Sequence, residues 1–145
     1  MDHSPEIFSH LYLNRAELEQ MFQGKNVHFT GMLLGEELSQ AYASGDIFIT
    51  PSESETLGFV VLEAMASGVP VVCARAGGIP DIVNQDGVTG FLYTPGDIED
   101  CVGKLKSLLD SQELRERVGQ AGEFPITWRY ELHVGILLIE TSLVP

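Results

Sequence analysis

The chain has 145 residues, 44% hydrophobic and 20% charged, which suits one domain with a real core and argues against disorder. Its 21 acidic and 8 basic residues leave a formal net charge of −13, which argues against nucleic acid or an anionic membrane surface as the main partner. No stretch reaches the roughly 20 apolar residues of a membrane span, and the start, with Asp2 and Glu6, shows neither a signal peptide nor a transit peptide.

Residues 1–14 fit no element. Residues 16–23 predict a short helix with Leu18, Met21 and Phe22 on one face and Gly24 as its stop. Residues 26–30 predict a strand, and Gly31 and Met32 turn out of its carboxyl end. A helix over 36–44, ended by Gly45, leads to a strand over 46–50 that stops at Pro51. A short acidic loop, 52–55, precedes a helical pattern over 56–66. Gly68 fits the position just past a helix end, and Pro70 keeps the helix from continuing. Residues 69–74 are apolar and β-branched, as in a strand buried on both faces.

Gly77 and Gly78 open a glycine-rich turn with a single helical turn, and Asp86-Gly87 marks a loop before a short strand over 90–93. Asp97 is the expected N-cap of a long helix with Ile98, Val102, Leu105, Leu108 and Leu109 as its core face. Residues 113–119 predict a further helix, charged and largely exposed. Beyond Gly122 the pattern fades, and residues 133–145 follow none. Cys73 and Cys101 read as buried small apolar residues of a reduced compartment, with nothing to support a disulfide. His3, His10, His28 and His133 are scattered without metal-ligand spacing. Four strands alternating with helices predict an α/β fold with a parallel sheet, whose carboxyl ends bring the loops at Gly31, Glu55 and Gly77 together.

Within that pattern Glu55 and Glu63 frame the loop and helix that follow the strand over 46–50. Glu55 precedes the helix and Glu63 is expected about two turns inside it, roughly 12 Å along the axis. Between them the amides of Thr56, Leu57, Gly58 and Phe59 are the expected donors of the first turn, an anion site. The set could hold a sugar at Glu55, a diphosphate over the amides and a ribose at Glu63, because a carboxylate accepts from both hydroxyls of a diol. A solvated charge pair on a surface helix is the plain alternative. Gly58 is unusual under either reading, since glycine inside a helix costs about 1 kcal/mol against alanine. Close approach of a phosphate or sugar would account for it.

The stretch SESETLGFVVLEAMASGVPVV resembles the donor site of retaining, nucleotide-sugar glycosyltransferases of the GT-B fold. The wider match, FTGMLLGEELSQAYASGDIFITPSESETLG through ARAGGIPDIV and TGFLYTPGD, is similar to the plant and cyanobacterial sulfoquinovosyltransferases of sulfolipid synthesis. The resemblance implies a truncated Rossmann-like sheet with flanking helices, the C-terminal, donor-binding half of that fold. Residues 1–14 would be a divergent leader, 15–122 the partial donor-binding domain and 123–145 a divergent tail. It also implies that Glu55 contacts hydroxyls of the donor sugar, Glu63 the ribose diol, and the Gly31–Met32 turn the uracil edge. Gly77 and Gly78 would line the pocket, a plain turn being the alternative. Arg75 could meet a phosphate or sulfonate, though a solvent-facing arginine is preferred.

The implied reaction transfers sulfoquinovose from a UDP-sugar to diacylglycerol with retention, without a metal or other cofactor. Attack would come from the leaving-group side, and the diphosphate would take the acceptor's proton. No catalytic residue is assigned. The implied location is the chloroplast envelope.

The chain departs from the family in its charges. Between Gly31 and Pro95 its only basic residue is Arg75, whereas the family brings an arginine and a lysine to the diphosphate from earlier strands. The acceptor domain and those strands are missing, so the chain is expected to be a fragment, inactive alone and a weak UDP-sugar binder. An unpaired sheet edge is expected as well. A non-catalytic nucleotide-sugar-binding or scaffold protein derived from the fold is the alternative. A different α/β enzyme would need a nucleophile or base at a strand end, and none is evident.

Overall fold

The structure, a computed structural model, describes residues 15–54, 58–123 and 137–139, the last three by their backbone alone. The chain divides into two units, Met1–Gly31 and Met32–Pro145.

In the first unit, helix α1 (Arg15–Met21) is followed by residues 26–30, which do not form the expected strand. Their alternation fits a strand, but an isolated extended segment has no ladder to stabilise it. Arg15 gathers this segment instead. Its guanidinium lies 5.9 Å from the Phe29 ring centre, donates to the Phe29 carbonyl at 3.4 Å and pairs with Glu19 at 2.6 Å. Phe22 meets Phe29 edge-on at 6.2 Å.

The second unit runs α2 (Gly35–Ser44), β1 (Ile47–Thr50), α3 (Phe59–Ala66), β2 (Val71–Ala74), α4 (Ile79–Ile82), β3 (Phe91–Tyr93), α5 (Ile98–Leu109), α6 (Gln112–Gly122) and β4 (Leu137–Ile139). The sheet order is β3-β2-β1-β4. The first three strands are parallel, with Phe48 opposite Val71 and Cys73 opposite Leu92.

β4 is antiparallel to β1, with Ile47 opposite Ile139 and Ile49 opposite Leu137. The Phe48 amide donates to the Pro70 carbonyl at 2.9 Å, on the β2 side. The amides of Ile47 and Ile49 therefore face β4, since successive residues of a strand point their backbone groups to opposite sides. The outer edge of β1, expected to be unpaired, is thus covered by a segment in which the sequence showed no pattern.

Alternation along the parallel strands divides the core between the two faces. Phe48, Val71, Cys73 and Leu92 pack with Leu38 and Tyr42 of α2, Val60, Val61, Ala64 and Met65 of α3, and Ile79 of α4. Ile47, Val72, Ala74 and Tyr93 pack on the opposite face with Leu108, Leu105, Leu109 and Cys101 of α5 and Leu114 of α6. A sheet covered by helices on both sides explains why its strands read as continuous apolar runs.

The core stripe of α5 differs from the expected one, since Ile98 and Val102 are 76% and 53% exposed. Cys101 takes the inner position, and Lys104 reaches across to donate to the Leu92 carbonyl. Asp97 does cap α5, accepting from the Asp100 amide at 3.0 Å. α6 runs longer than expected and buries Val118, Gly119 and Gly122. A β-carbon at Gly119 would lie 2.2 Å from the Gly68 carbonyl oxygen, so the helix rests directly on the turn that follows α3.

Candidate functional site

Parallel pairing puts the ends of β1, β2 and β3 on one edge, where residues 51–54, 75–78 and 94–97 leave the sheet. Ligands of open α/β sheets bind at such an edge. Tyr93, the last residue of β3, has its hydroxyl pushed up to about 12. Burial is the main cause, with smaller contributions from Cys101, Cys73 and Glu53. Glu53 belongs to the loop after β1.

Helix α3 starts later than the sequence suggests. Its first residue is Phe59, and Gly58 is the N-cap with φ 62° and ψ 32°. This is the left-handed region, which disfavours any residue with a β-carbon by roughly 1–2 kcal/mol. The glycine is thus required by the turn itself, and close approach of a ligand is not needed to explain it. The Gly58 carbonyl accepts from the amides of Val61 and Leu62, both at 3.0 Å, which closes the first turn. At the other end the amides of Gly68 and Val69 bond back to Met65 and Ala64 at 3.0 and 3.1 Å. This paired closure with a left-handed glycine ends the helix where the sequence predicted.

Glu63 is the fifth residue of α3, about 6 Å along the axis from its start instead of two turns in. Its side chain is half-buried, and Oε2 accepts from the Tyr42 hydroxyl at 2.9 Å. Burial raises the Glu63 carboxyl above the ordinary carboxylate range, and the Tyr42 hydrogen bond offsets part of that rise. Tyr42 is 2% exposed on the inner face of α2, its ring 5.9 Å from that of Phe48. Burial, and next the charge of Glu63, drive its hydroxyl far above the usual phenol range, so it remains a donor. Sequence reasoning did not single out Tyr42. The available signal was a tyrosine one turn after Leu38 on a core-facing stripe, whose buried hydroxyl must find a partner.

The other candidates divide between the sheet edge, the two sides of the unit boundary and residues outside the described ones. Phe59 opens α3 and is half-buried. Glu55, Thr56 and Leu57 lie outside the described residues. Gly31 closes the first unit, whereas Met32 opens the second and is 68% exposed. Gly77, with φ 56°, turns the chain after β2, and Gly78 caps the short α4. Arg75 is half-exposed and pairs with Asp86 at 2.5 Å, while the other Asp86 oxygen accepts from the Leu92 amide at 2.8 Å. Asp86 therefore ties the loop after α4 to β3, and Arg75 ties that same loop to the end of β2.

Among the described residues no three His, Cys, Asp or Glu side chains converge as metal ligands. Cys73 and Cys101 are both free thiols. No helix of the described residues is long and apolar enough to cross a membrane.

The chain matches the glycosyl transferases group 1 family over residues 12–123. It is 64% identical over 109 residues to sulfoquinovosyl transferase SQD2 of Arabidopsis thaliana, covering 74% of this chain and 21% of that protein. Its fold is similar to sucrose-phosphate synthase from Thermosynechococcus elongatus, with a TM-score of 0.68 and 29% identity over 75% of this chain and 27% of that one. It is also similar to Anabaena HepE in complex with UDP and glucose, with a TM-score of 0.66 and 26% identity over 81% of this chain and 32% of that one. The chain spans about a fifth of SQD2 and about a third or less of these two solved chains.

Proposed function

The chain belongs to the glycosyl transferases group 1 family, and from that premise we propose that it forms part of the donor-binding half of a retaining glycosyltransferase. The proposed donor is UDP-sulfoquinovose and the proposed acceptor diacylglycerol, which places the whole enzyme at the chloroplast envelope. The choice of sugar is supported by the 64% identity to a sulfoquinovosyl transferase. The choice of nucleotide is supported by the similar fold of HepE, solved with UDP and glucose.

The observation that carries the reading is the Glu63 carboxylate, held half-buried near the start of a helix that follows a strand's carboxyl end. In its ionised form it accepts the two hydroxyls of the ribose. Glu55 takes hydroxyls of the sugar, and the amides at the start of α3 face the diphosphate. Preorganised donors of that kind stabilise the charge that grows on a departing diphosphate. No metal or other cofactor is invoked, and the diphosphate itself accepts the acceptor's proton. The chain spans about a fifth of SQD2, and the proposal assigns the acceptor site to the remainder, so the informative assay is binding. Calorimetric titration with UDP should show affinity that Glu63→Ala abolishes and Glu36→Ala leaves intact. Equal affinity in the two variants would overturn the reading.

A further inference from the structure

We propose that Tyr42 is the positioning residue for Glu63: its buried hydroxyl, donating to Oε2, holds the carboxylate in the one orientation that can accept a ligand's vicinal diol. The proposal rests on the reading of Glu63 given above.

Tyr42 has two acceptors in reach, the Val60 carbonyl at 3.4 Å and Glu63 Oε2 at 2.9 Å. A phenol has one proton, and the shorter, charged acceptor takes it. The ring itself cannot move to follow a different carboxylate position, because it is packed in the core formed by α2, β1 and α3. Glu63 by contrast has a flexible side chain, and fixing such a chain costs up to about 2 kcal/mol of rotamer freedom. Tyr42 imposes that order before any ligand arrives, which is what preorganisation means. Oε2 keeps a second lone pair, and Oε1 has no hydrogen bond from any described residue, so both oxygens can still accept.

The same contact sets the charge of the site. Burial disfavours the Glu63 anion, and Tyr42 is the group that opposes it. The other titratable groups on the elements packed against α3 leave Glu63 unshifted. They are Glu36 and Glu37 of α2, Cys73 of β2, Asp81 of α4, and Glu113, Arg115, Glu116 and Arg117 of α6. Removing the hydroxyl therefore raises the pH at which Glu63 becomes an anion.

The test compares wild type, Y42F, E63A and the Y42F/E63Q pair against E63Q, reading UDP affinity by calorimetry from mildly acidic to mildly alkaline pH. Thermal unfolding of each protein runs alongside. At neutral pH Y42F should weaken UDP binding roughly tenfold, the effect of one hydrogen bond to a charged group. The acid limb of its affinity profile should move to higher pH, which lost packing alone would not do. In the E63Q background, which has no carboxyl at position 63 to titrate, the same change should leave the remaining affinity and its pH dependence unaltered. A carbon-13 titration of the Glu63 carboxyl without ligand should show the same upward move in Y42F. For a poorly folded Y42F, 3-fluorotyrosine at position 42 replaces it. This more acidic donor should move both titrations to lower pH. Wild-type affinity in E63A overturns the site reading and this proposal together. Loss in E63A with wild-type affinity in Y42F, or with an unmoved acid limb in whichever Tyr42 variant is used, overturns the proposal alone.

Discussion

Two glycines inside helices should respond to alanine with opposite signs. Gly103 sits on the outer face of α5, where an added β-carbon meets nothing within 4 Å. Gly103→Ala should therefore stabilise the protein by about 0.5–1 kcal/mol, the difference in helix propensity. Gly119→Ala has the same propensity gain. Its β-carbon, however, would stand 2.2 Å from the Gly68 carbonyl oxygen, about 1 Å inside ordinary carbon–oxygen contact. The obstacle is backbone, fixed by the turn that closes α3, so it cannot rotate away. The helix must shift, and Val118, buried beside it, loses its fit. Overpacking of this kind costs about 1–3 kcal/mol, and a clash this deep belongs at the upper end. After the propensity gain, Gly119→Ala should lose about 2 kcal/mol, a fall in Tm on the order of 10 °C. Urea unfolding of the two variants measures the contrast. Equal stability would mean that α6 does not rest on the turn after α3.

Replacing Glu63 should reveal a conflict between stability and binding. Its folded carboxyl is raised, so its favourable contribution is complete below the ordinary glutamate range and is lost as pH rises through the folded value. Glu63→Gln should consequently unfold at a higher temperature than wild type in mildly alkaline buffer, and the gap should close as the pH falls toward the ordinary range. A constant gap would argue against a carboxyl strained by burial. The edge pairing has its own test. Leu137→Pro with Ile139→Pro removes both amides that face β1. Hydrogen exchange at Ile47 and Ile49 should accelerate while that at Phe48, bonded toward β2, stays slow. Unchanged protection at Ile47 and Ile49 would refute the pairing.

The elements that could be read in advance are those whose signals are local. Asp97 caps α5, Gly68 and Pro70 end α3, and the apolar run after Pro70 is a strand buried on both faces. Each of these depends on backbone geometry within a few residues. What escaped the sequence depended on distant partners. Residues 26–30 alternate like a strand, yet alternation does not supply a ladder partner. Residues 137–139 carry no strand signal beyond their apolar character, and their pairing with β1 joins segments far apart in the chain. The misplaced stripe on α5 is a matter of phase, decided by where Cys101 and Lys104 can reach.

At the site, Glu63 drew attention through its spacing to Glu55, and its carboxylate is half-buried on α3. Gly58 was legible as a glycine but not as a left-handed cap, because composition does not say where a helix begins. Tyr42 was missed because it reads as one more core aromatic until its hydroxyl is followed to its acceptor.

The antiparallel strand on β1 also bears on the order of events during synthesis. The three parallel strands and α3 leave the ribosome before β4 and can associate through neighbouring crossovers. Ile47 and Ile49 must wait for the segment around residue 138 before their outward amides are covered. At ordinary elongation rates that interval is on the order of 10 s. Until β4 pairs, the outer rim of β1 stays bare, so chaperone capture is most valuable to this polypeptide in the interval before residues 137–139 emerge from the ribosome.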